Sequence, residues 1–204
     1  MFRRHRVLGL LLCVILLSAA RPSLAALPSP PNCSVEPILV GGNTGNLLPG
    51  PGGPGFQVVV RDMFNLPIGG VTVDIQVPSA ALRLYRTQAP GTMVFCGQHF
   101  LRKTTNPLGE ATFAPCIGGF DNSNAASIFA DGILLAIVPV RSTDINASQA
   151  NTDLGDLNLF RVQFYAPQPA APQTDYTGDG VTGLADLNIF RGEFVALMPG
   201  NYCP

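Results

Sequence analysis

Hydrophobic residues between positions 56 and 140 come in short β-branched runs, and turn residues separate one run from the next. In residues 71–77 the odd positions are Val, Val, Ile and Val, whereas the even positions are Thr, Asp and Gln. This alternation is typical of a strand that buries one face. The same texture predicts strands at 56–61, 71–77, 82–85, 93–96, 100–104, 111–113, 126–130 and 133–140. Short strands at this spacing predict a mainly β fold, built as an antiparallel sandwich.

Turn-forming residues dominate the stretches around these strands. Residues 26–55 are rich in proline and glycine and contain one apolar run, 35–40, which we predict to be an edge strand. The stretch 41–55 has the composition of a loop or linker. Within the strand region, residues 65–70 and 106–109 combine Asn, Pro and Gly, and we interpret both as hairpin connections.

The hydrophobic period changes after residue 141. Apolar residues there recur at helical spacing, so each of two segments presents a single apolar stripe. The stripes are Leu157, Phe160 and Phe164 in the first segment and Leu187, Phe190 and Phe194 in the second. Helices this short have little other surface to cover them, so we expect the stripes to form core by packing against each other.

Residues 175–186, called loop two below, precede the second of these helices and carry oxygen ligands at alternate positions. The ligand positions are Asp175, Thr177, Asp179, Val181 through its backbone carbonyl, Gly183 and Asp186. Gly180 occupies the sixth position, where a calcium loop turns sharply. The pattern predicts a calcium site with three carboxylates, although Asp and Gly also crowd into ordinary turns.

A second copy of the pattern lies thirty residues upstream. Residues 156–164 match residues 186–194 at six of nine positions, so the chain contains a tandem loop-helix repeat. The candidate ligands of the upstream copy, called loop one (144–156), are Asp144, Asn146, Ser148, Asp153 and Asp156. Loop one has one extra residue, and Gln149 stands where loop two has its turn glycine. Either Asp153 is recruited as a ligand, or the site is empty and the repeat is kept for its helix.

Tandem calcium loops that each lead into one helix resemble the dockerin type I module, and residues 142–204 match that family in this respect. The resemblance implies an all-α, EF-hand-like module that binds Ca²⁺ and docks to a cohesin-type protein. It also implies association with polysaccharide-degrading or cell-surface assemblies. The alternative is an extracellular structural spacer in which calcium only makes the module rigid.

A second resemblance lies in the strand region. Residues 59–74 and 104–113 are similar to the bacterial immunoglobulin-like repeats of invasin-type and carboxypeptidase-regulatory-like domains. The resemblance implies an immunoglobulin-like β-sandwich over residues 56–141. It does not specify function, because such domains serve as spacers, adhesins and carbohydrate-binding modules.

Residues 1–25 have the pattern of a secretory signal peptide. Arginines precede an apolar run at 7–20, and Ser-Leu-Ala at 23–25 fits a cleavage site. The run has fourteen residues, whereas a membrane span needs roughly twenty. Its removal takes away four basic residues and changes the formal net charge from −1 to −5. We therefore predict an exported, acidic protein that lacks a nucleic-acid-binding surface.

Four cysteines remain after residue 25, in a compartment that favours disulfides: Cys33, Cys96, Cys116 and Cys203. Four cysteines allow two disulfides in three connectivities. The predicted hairpin within residues 104–113 brings its ends together, so we expect Cys96 to pair with Cys116. Cys33 then pairs with Cys203 by elimination.

Catalytic residues are not evident in the pattern. His99 has no serine or cysteine near it in a nucleophile context, and the acidic residues outside the two loops fall mostly in turns. The chain also lacks tryptophan, which weakens a sugar-stacking surface. We therefore predict a non-catalytic calcium-binding protein, with a small glycan-active enzyme as the remaining alternative.

Overall fold

The structure is a computed structural model that describes residues 26–42, 49–50, 53–78, 80–148, 152–167, 172–195 and 201–204. It is mainly β, with two helices near the C-terminus, as the hydrophobic pattern predicts. The predicted signal peptide lies outside the described residues. Neither helix in the described part of the chain is long and apolar enough to cross a membrane.

The described strands occur at every position predicted between residues 56 and 140, whereas the one strand predicted at 35–40 is two short strands in different sheets. They are β1 (Ser34–Val35), β2 (Leu39–Gly41), β3 (Pro49–Gly50), β4 (Gly53–Pro54), β5 (Phe56–Val59), β6 (Thr72–Gln76), β7 (Leu82–Leu84), β8 (Met93–Phe95), β9 (Phe100–Thr104), β10 (Glu110–Phe113), β11 (Ile117–Gly119), β12 (Asp121–Ala130) and β13 (Ile133–Ser142). The helices are α1 (Leu154–Phe164) and α2 (Leu184–Val195), with short 3-10 turns at Pro30–Asn32, Cys96–Gln98 and Pro172–Thr174. Strands β3 and β4 were not predicted, because they lie in the stretch 41–55 that has the composition of a loop. Strand β11 was not predicted either, because two of its three residues are glycine.

The largest sheet has six strands in the order β2-β13-β12-β6-β9-β8. A three-stranded sheet, β1-β5-β10, and a two-stranded sheet, β11-β7, contribute to the same hydrophobic core. Alternate residues of β6, among them Val73 and Ile75, are buried in this core. The period of two in the sequence therefore marks the buried face correctly.

The predicted hairpin pairing of consecutive strands is wrong, although both segments turn and Arg61 and Pro67 form an antiparallel bridge at the first. Strand β5 pairs with β1 and β10, whereas β6 pairs with β9 and β12. The turn at 65–70 thus carries the chain from one sheet to the other, and so does the turn at 106–109. Asn65 and Gly109 adopt positive φ there, which explains the turn-forming residues without requiring hairpins.

Both helical stripes belong to a second core, as expected, with Phe160 and Phe190 buried and the other stripe residues partly buried. The side chains of Phe160 and Phe190 stack with their ring centroids 4.9 Å apart. Tyr176 and Val40 complete the centre of this core. Val40 belongs to β2, which pairs in parallel with β13. The helices therefore pack against the six-stranded sheet as well as against each other.

The C-terminal residues lie against β7. The backbone N–H of Cys203 donates to the carbonyl of Leu84 over 2.7 Å, and the backbone N–H of Arg86 donates to the carbonyl of Asn201. A disulfide joins Cys203 to Cys96. Residues 201–204, called the C-terminal tail below, are thus attached to the strand region covalently and by hydrogen bonds.

This disulfide contradicts the predicted pairs Cys96–Cys116 and Cys33–Cys203. The prediction depended on a hairpin between β9 and β10, but these strands lie in different sheets, so Cys96 and Cys116 are not brought together. Cys33 and Cys116 instead carry free thiols. Cys116 is buried against Tyr85 and Tyr202, and burial raises the pKa of its thiol to about 12.

Candidate metal centre

The three carboxylates predicted for loop two converge. Asp175, Asp179 and Asp186 each direct an oxygen into one cluster, and these oxygens all lie within 4.8 Å of one another. Asp175 and Asp186 are buried, whereas Asp179 is exposed. The cluster therefore has a protein-facing side and a solvent-facing side, which gives an ion a route of entry.

Backbone N–H groups of the loop hold Asp175 in place. Oδ1 of Asp175 accepts from the N–H groups of Gly178 and Asp179 over 2.7 and 3.1 Å. Oδ2 accepts from the N–H of Gly180 over 3.0 Å. Both oxygens of this first carboxylate are therefore fixed by backbone donors from the next five residues of the loop.

Asp186 closes the loop at the start of α2. Its Oδ1 accepts from the N–H of Thr177 over 2.9 Å, and its Oδ2 accepts from the N–H of Gly183 over 2.8 Å. Asp186 lies in the first turn of the helix, where a carboxylate is also favoured by the helix dipole. The twelfth position of the loop is thereby joined to the third and the ninth.

Two glycines allow the loop to turn. Gly180, at the sixth position, has φ of +87°, as the turn of a calcium loop requires. Gly178 has φ of +77°, and a Cβ atom at this residue would come within 2.5 Å of Ile38 Cδ1. The sequence indicated the role of Gly180. It gave no sign of the close approach at Gly178, because Ile38 is distant in sequence.

The donor set fits a calcium ion. Calcium takes oxygen ligands at 2.3–2.6 Å, so ligands on opposite sides of one ion lie at most about 5 Å apart. The carboxylate oxygens of the cluster meet this limit. Thr177 Oγ1 lies 3.4 Å from Asp175 Oδ1, on the same part of the loop. Val181 and Gly183 follow at the seventh and ninth positions, where backbone or water-mediated ligands are usual.

Loop one repeats the hydrogen-bonded frame of loop two. Oδ1 of Asp156 accepts from the N–H of Asn146 over 3.0 Å, and Oδ2 accepts from the N–H of Asp153 over 2.9 Å. Residue 147, at the position of Gly178, is an alanine with φ of +50°. These contacts show that the repeat seen in the sequence is also a repeat in structure.

A pair of buried threonines closes the base of each loop. The hydroxyls of Thr143 and Thr152 lie 2.8 Å apart in loop one, and those of Thr174 and Thr182 lie 2.7 Å apart in loop two. These threonines were not identified from the sequence. A signal was present, since a threonine stands directly before the first aspartate of each loop.

Asp144, the first residue of loop one, makes different contacts from its counterpart Asp175. The hydroxyl of Tyr85 donates to Asp144 Oδ2 over 2.8 Å, and the hydroxyl of Tyr202 donates to the same oxygen. Asp144 Oδ1 is buried without a hydrogen-bond partner. Burial raises the pKa of this carboxyl, while the two tyrosine hydroxyls lower it. Asp144 thus joins loop one to β7 and to the C-terminal tail.

Among the described residues, Asp144, Asp153 and Asp156 of loop one do not converge as the three carboxylates of loop two do. Oδ1 of Asp153 accepts from the N–H of Gly155 over 2.7 Å and caps α1. Burial raises the pKa of Asp156 to about 6, partly offset by the N–H groups that it accepts. Asn146 and Ser148 are exposed. Gln149, which stands where loop two has its turn glycine, lies outside the described residues.

Arg141 is a further residue at loop two that the sequence did not reveal. It lies on β13 and is buried, and its Nη1 is 3.3 Å from Asp175 Oδ2. Nothing in the local pattern marks it, because its position depends on how β13 packs against the loop.

Comparison of the chain with family models, curated proteins and solved structures found no match. What the protein does is therefore inferred from the residues and contacts described above.

Proposed function

We propose that the protein is an exported, non-catalytic calcium-binding protein whose C-terminal region docks to a cohesin-type partner. In this proposal residues 142–204 form a dockerin-like, EF-hand-like module. The strands before it form an immunoglobulin-like sandwich that carries the module. Such a pairing suits a component of a polysaccharide-degrading or cell-surface assembly.

The observation that carries the proposal is the convergence of Asp175, Asp179 and Asp186 at the ligand positions of a calcium loop. Three carboxylates this close repel one another when no cation is present. A divalent ion removes this repulsion, so calcium binding stabilises the folded module. At a hundredfold excess over Kd the stabilisation is about 2.7 kcal/mol.

The surface of the helices supports docking. Leu154 and Leu184 begin the two helices and stand at equivalent places in the repeat, with 68% and 72% of their surface exposed. Val162 on α1 and Tyr165, which follows the end of α1, add further exposed apolar surface. Exposed apolar residues that recur in both repeats are suited to contact with another protein.

The test has two steps. Calorimetric titration of the intact protein with calcium is expected to show binding, and chelator is expected to lower its Tm. The protein is then titrated against a panel of cohesins in calcium and in chelator. Binding that is lost in chelator and weakened by L154E and L184E supports docking, with L134E on β13 as the control. Melting curves that coincide with and without chelator would refute the calcium proposal.

A second candidate function, an extracellular spacer, is favoured by the attachment of the C-terminal region to the sheets. Val40 of β2 belongs to the helical core, and the disulfide from Cys203 to Cys96 fastens the tail. A spacer would gain rigidity from both features. Calcium would then raise the Tm while every cohesin in the panel failed to bind.

A further inference from the structure

Arg141 places a positive charge beside the carboxylates of loop two. Only 8% of its side-chain surface is exposed, and Asp175, its partner, is 7% exposed. Strand β13 supplies this arginine, next to Ser142, whose carbonyl accepts from the hydroxyl of Tyr176 inside the helical core. The guanidinium therefore approaches the loop from the protein side, opposite the exposed carboxylate of Asp179.

The contact between Arg141 and Asp175 is electrostatic and incomplete. Nε and Nη1 of Arg141 are both buried without a hydrogen-bond partner. Arg102 on β9 shows the contrast, since its guanidinium donates two hydrogen bonds of 2.7 Å to Asp74. The oxygens of Asp175 instead accept from the backbone of loop two. Nε and Nη1 of Arg141 thus lie beside the carboxylate without a hydrogen bond to it.

Burial makes this arrangement costly for Arg141. Desolvation lowers the pKa of its guanidinium, and the nearby Asp175 and Asp186 raise it. An arginine stays protonated in proteins, so its charge remains in the site. A buried cation that close to the first ligand partly neutralises the carboxylates and repels any further cation.

We propose that Arg141 is a built-in counter-cation of loop two, which stabilises the loop when no divalent ion is bound and lowers its affinity for calcium. The inference rests on the proposed calcium binding and adds its regulation. Calcium binding must then weaken the contact between Arg141 and Asp175. Because Arg141 lies on β13, occupancy of the loop is transmitted to the six-stranded sheet.

The test compares calcium titrations of the intact wild-type protein, R141Q and R102Q. Glutamine removes the charge and keeps a polar side chain. We expect R141Q to bind calcium about tenfold more tightly or better, because the repulsion is gone. In chelator it should melt below wild type, so that calcium raises its Tm by more. R102Q also loses a strand arginine that pairs with aspartate, but its affinity should stay within about twofold of wild type.

If wild type binds calcium and R141Q binds it with equal or lower affinity, the proposed counter-cation role of Arg141 is overturned, while the proposal that loop two binds calcium stands. If neither protein binds calcium, both proposals fail. If only R141Q binds, the arginine blocks the site, and wild type is not a calcium-binding protein.

A measurement on wild type keeps the inference testable if R141Q does not fold. With isotope-labelled arginine, the Arg141 side-chain signal is expected to shift during the calcium titration with the same midpoint as the calorimetry. The Arg102 signal serves as the control and should not move. An Arg141 signal that stays fixed while calcium binds would overturn the inference.

Discussion

Loop one and loop two share a frame but use their first aspartate differently. In both loops the last aspartate accepts two backbone N–H groups, and a threonine pair closes the base. Asp175 turns inward and organises its own loop. Asp144 is fully buried and instead accepts from the hydroxyls of Tyr85 and Tyr202. One copy thus retains the geometry of an ion site, while the other attaches the repeat to the sheets.

The difference shows which part of a repeated loop is free to change. The frame positions helices α1 and α2, so its threonines and its last aspartate recur in both copies. The first aspartate can make structural hydrogen bonds in place of a ligand role without disturbing that frame. A repeat can therefore keep its helix when its first carboxylate finds other donors.

The largest effect is expected from D144A, which removes the acceptor of the buried Tyr85 hydroxyl. Loss of the bonds to this carboxylate should lower the free energy of unfolding by about 3 kcal/mol. The calcium isotherm should be unchanged, because loop two keeps its ligands. Denaturant unfolding in chelator and calorimetry measure the two quantities.

D153A is the matched control for D144A, since it removes only the helix cap of the same loop. It should cost about 1 kcal/mol. If D144A abolished a calcium site, loop one would be an ion site after all, and the division of roles between the loops would be wrong.

A smaller effect is expected from alanine substitutions at the fifth position, where the two loops should differ in their response to calcium. D179A should remove most of the calcium response, because Asp179 supplies one of three converging carboxylates. The stabilisation at risk is about 2.7 kcal/mol at a hundredfold excess of calcium over Kd. S148A, at the same position of loop one, should change the response little. Calorimetry that showed the reverse order would contradict the assignment of the site to loop two.

Local pattern was sufficient to predict most of the secondary structure and the three carboxylates that converge in loop two. The alternation in residues 71–77 and the stripe ending at Phe194 each report the burial of a single element. The spacing of Asp175, Asp179 and Asp186 is set within twelve consecutive residues. Each of these signals lies within a short stretch of consecutive residues, so it can be recognised from the sequence alone.

The sequence pattern does not predict contacts between segments that are distant in sequence. Turn residues at 106–109 show that the chain turns, but not that β9 and β10 lie in different sheets. The Cys96–Cys203 disulfide follows from where the tail lies, and so does the bond from Tyr202 to Asp144. Arg141 reaches loop two only because β13 packs beside it. No spacing in the sequence encodes these choices.

The smallest effect is expected when the residue at the fourth position of each loop is replaced by the one that the other loop has there. Ala147 has φ of +50° and Gly178 has φ of +77°, a region that costs a residue with a Cβ roughly 1–2 kcal/mol. A147G should therefore stabilise the protein by up to about 1 kcal/mol, after the greater backbone entropy of glycine in the unfolded chain is subtracted. G178A should destabilise it by about 1 kcal/mol, and should also weaken calcium binding, because its Cβ meets Ile38.

Gly180 has similar φ, but a Cβ there would meet nothing within 4 Å, so G180A isolates the backbone strain from the clash. Thermal unfolding with and without calcium distinguishes these cases. Equal calcium affinities for G178A and G180A would show that the contact with Ile38 does not shape the site.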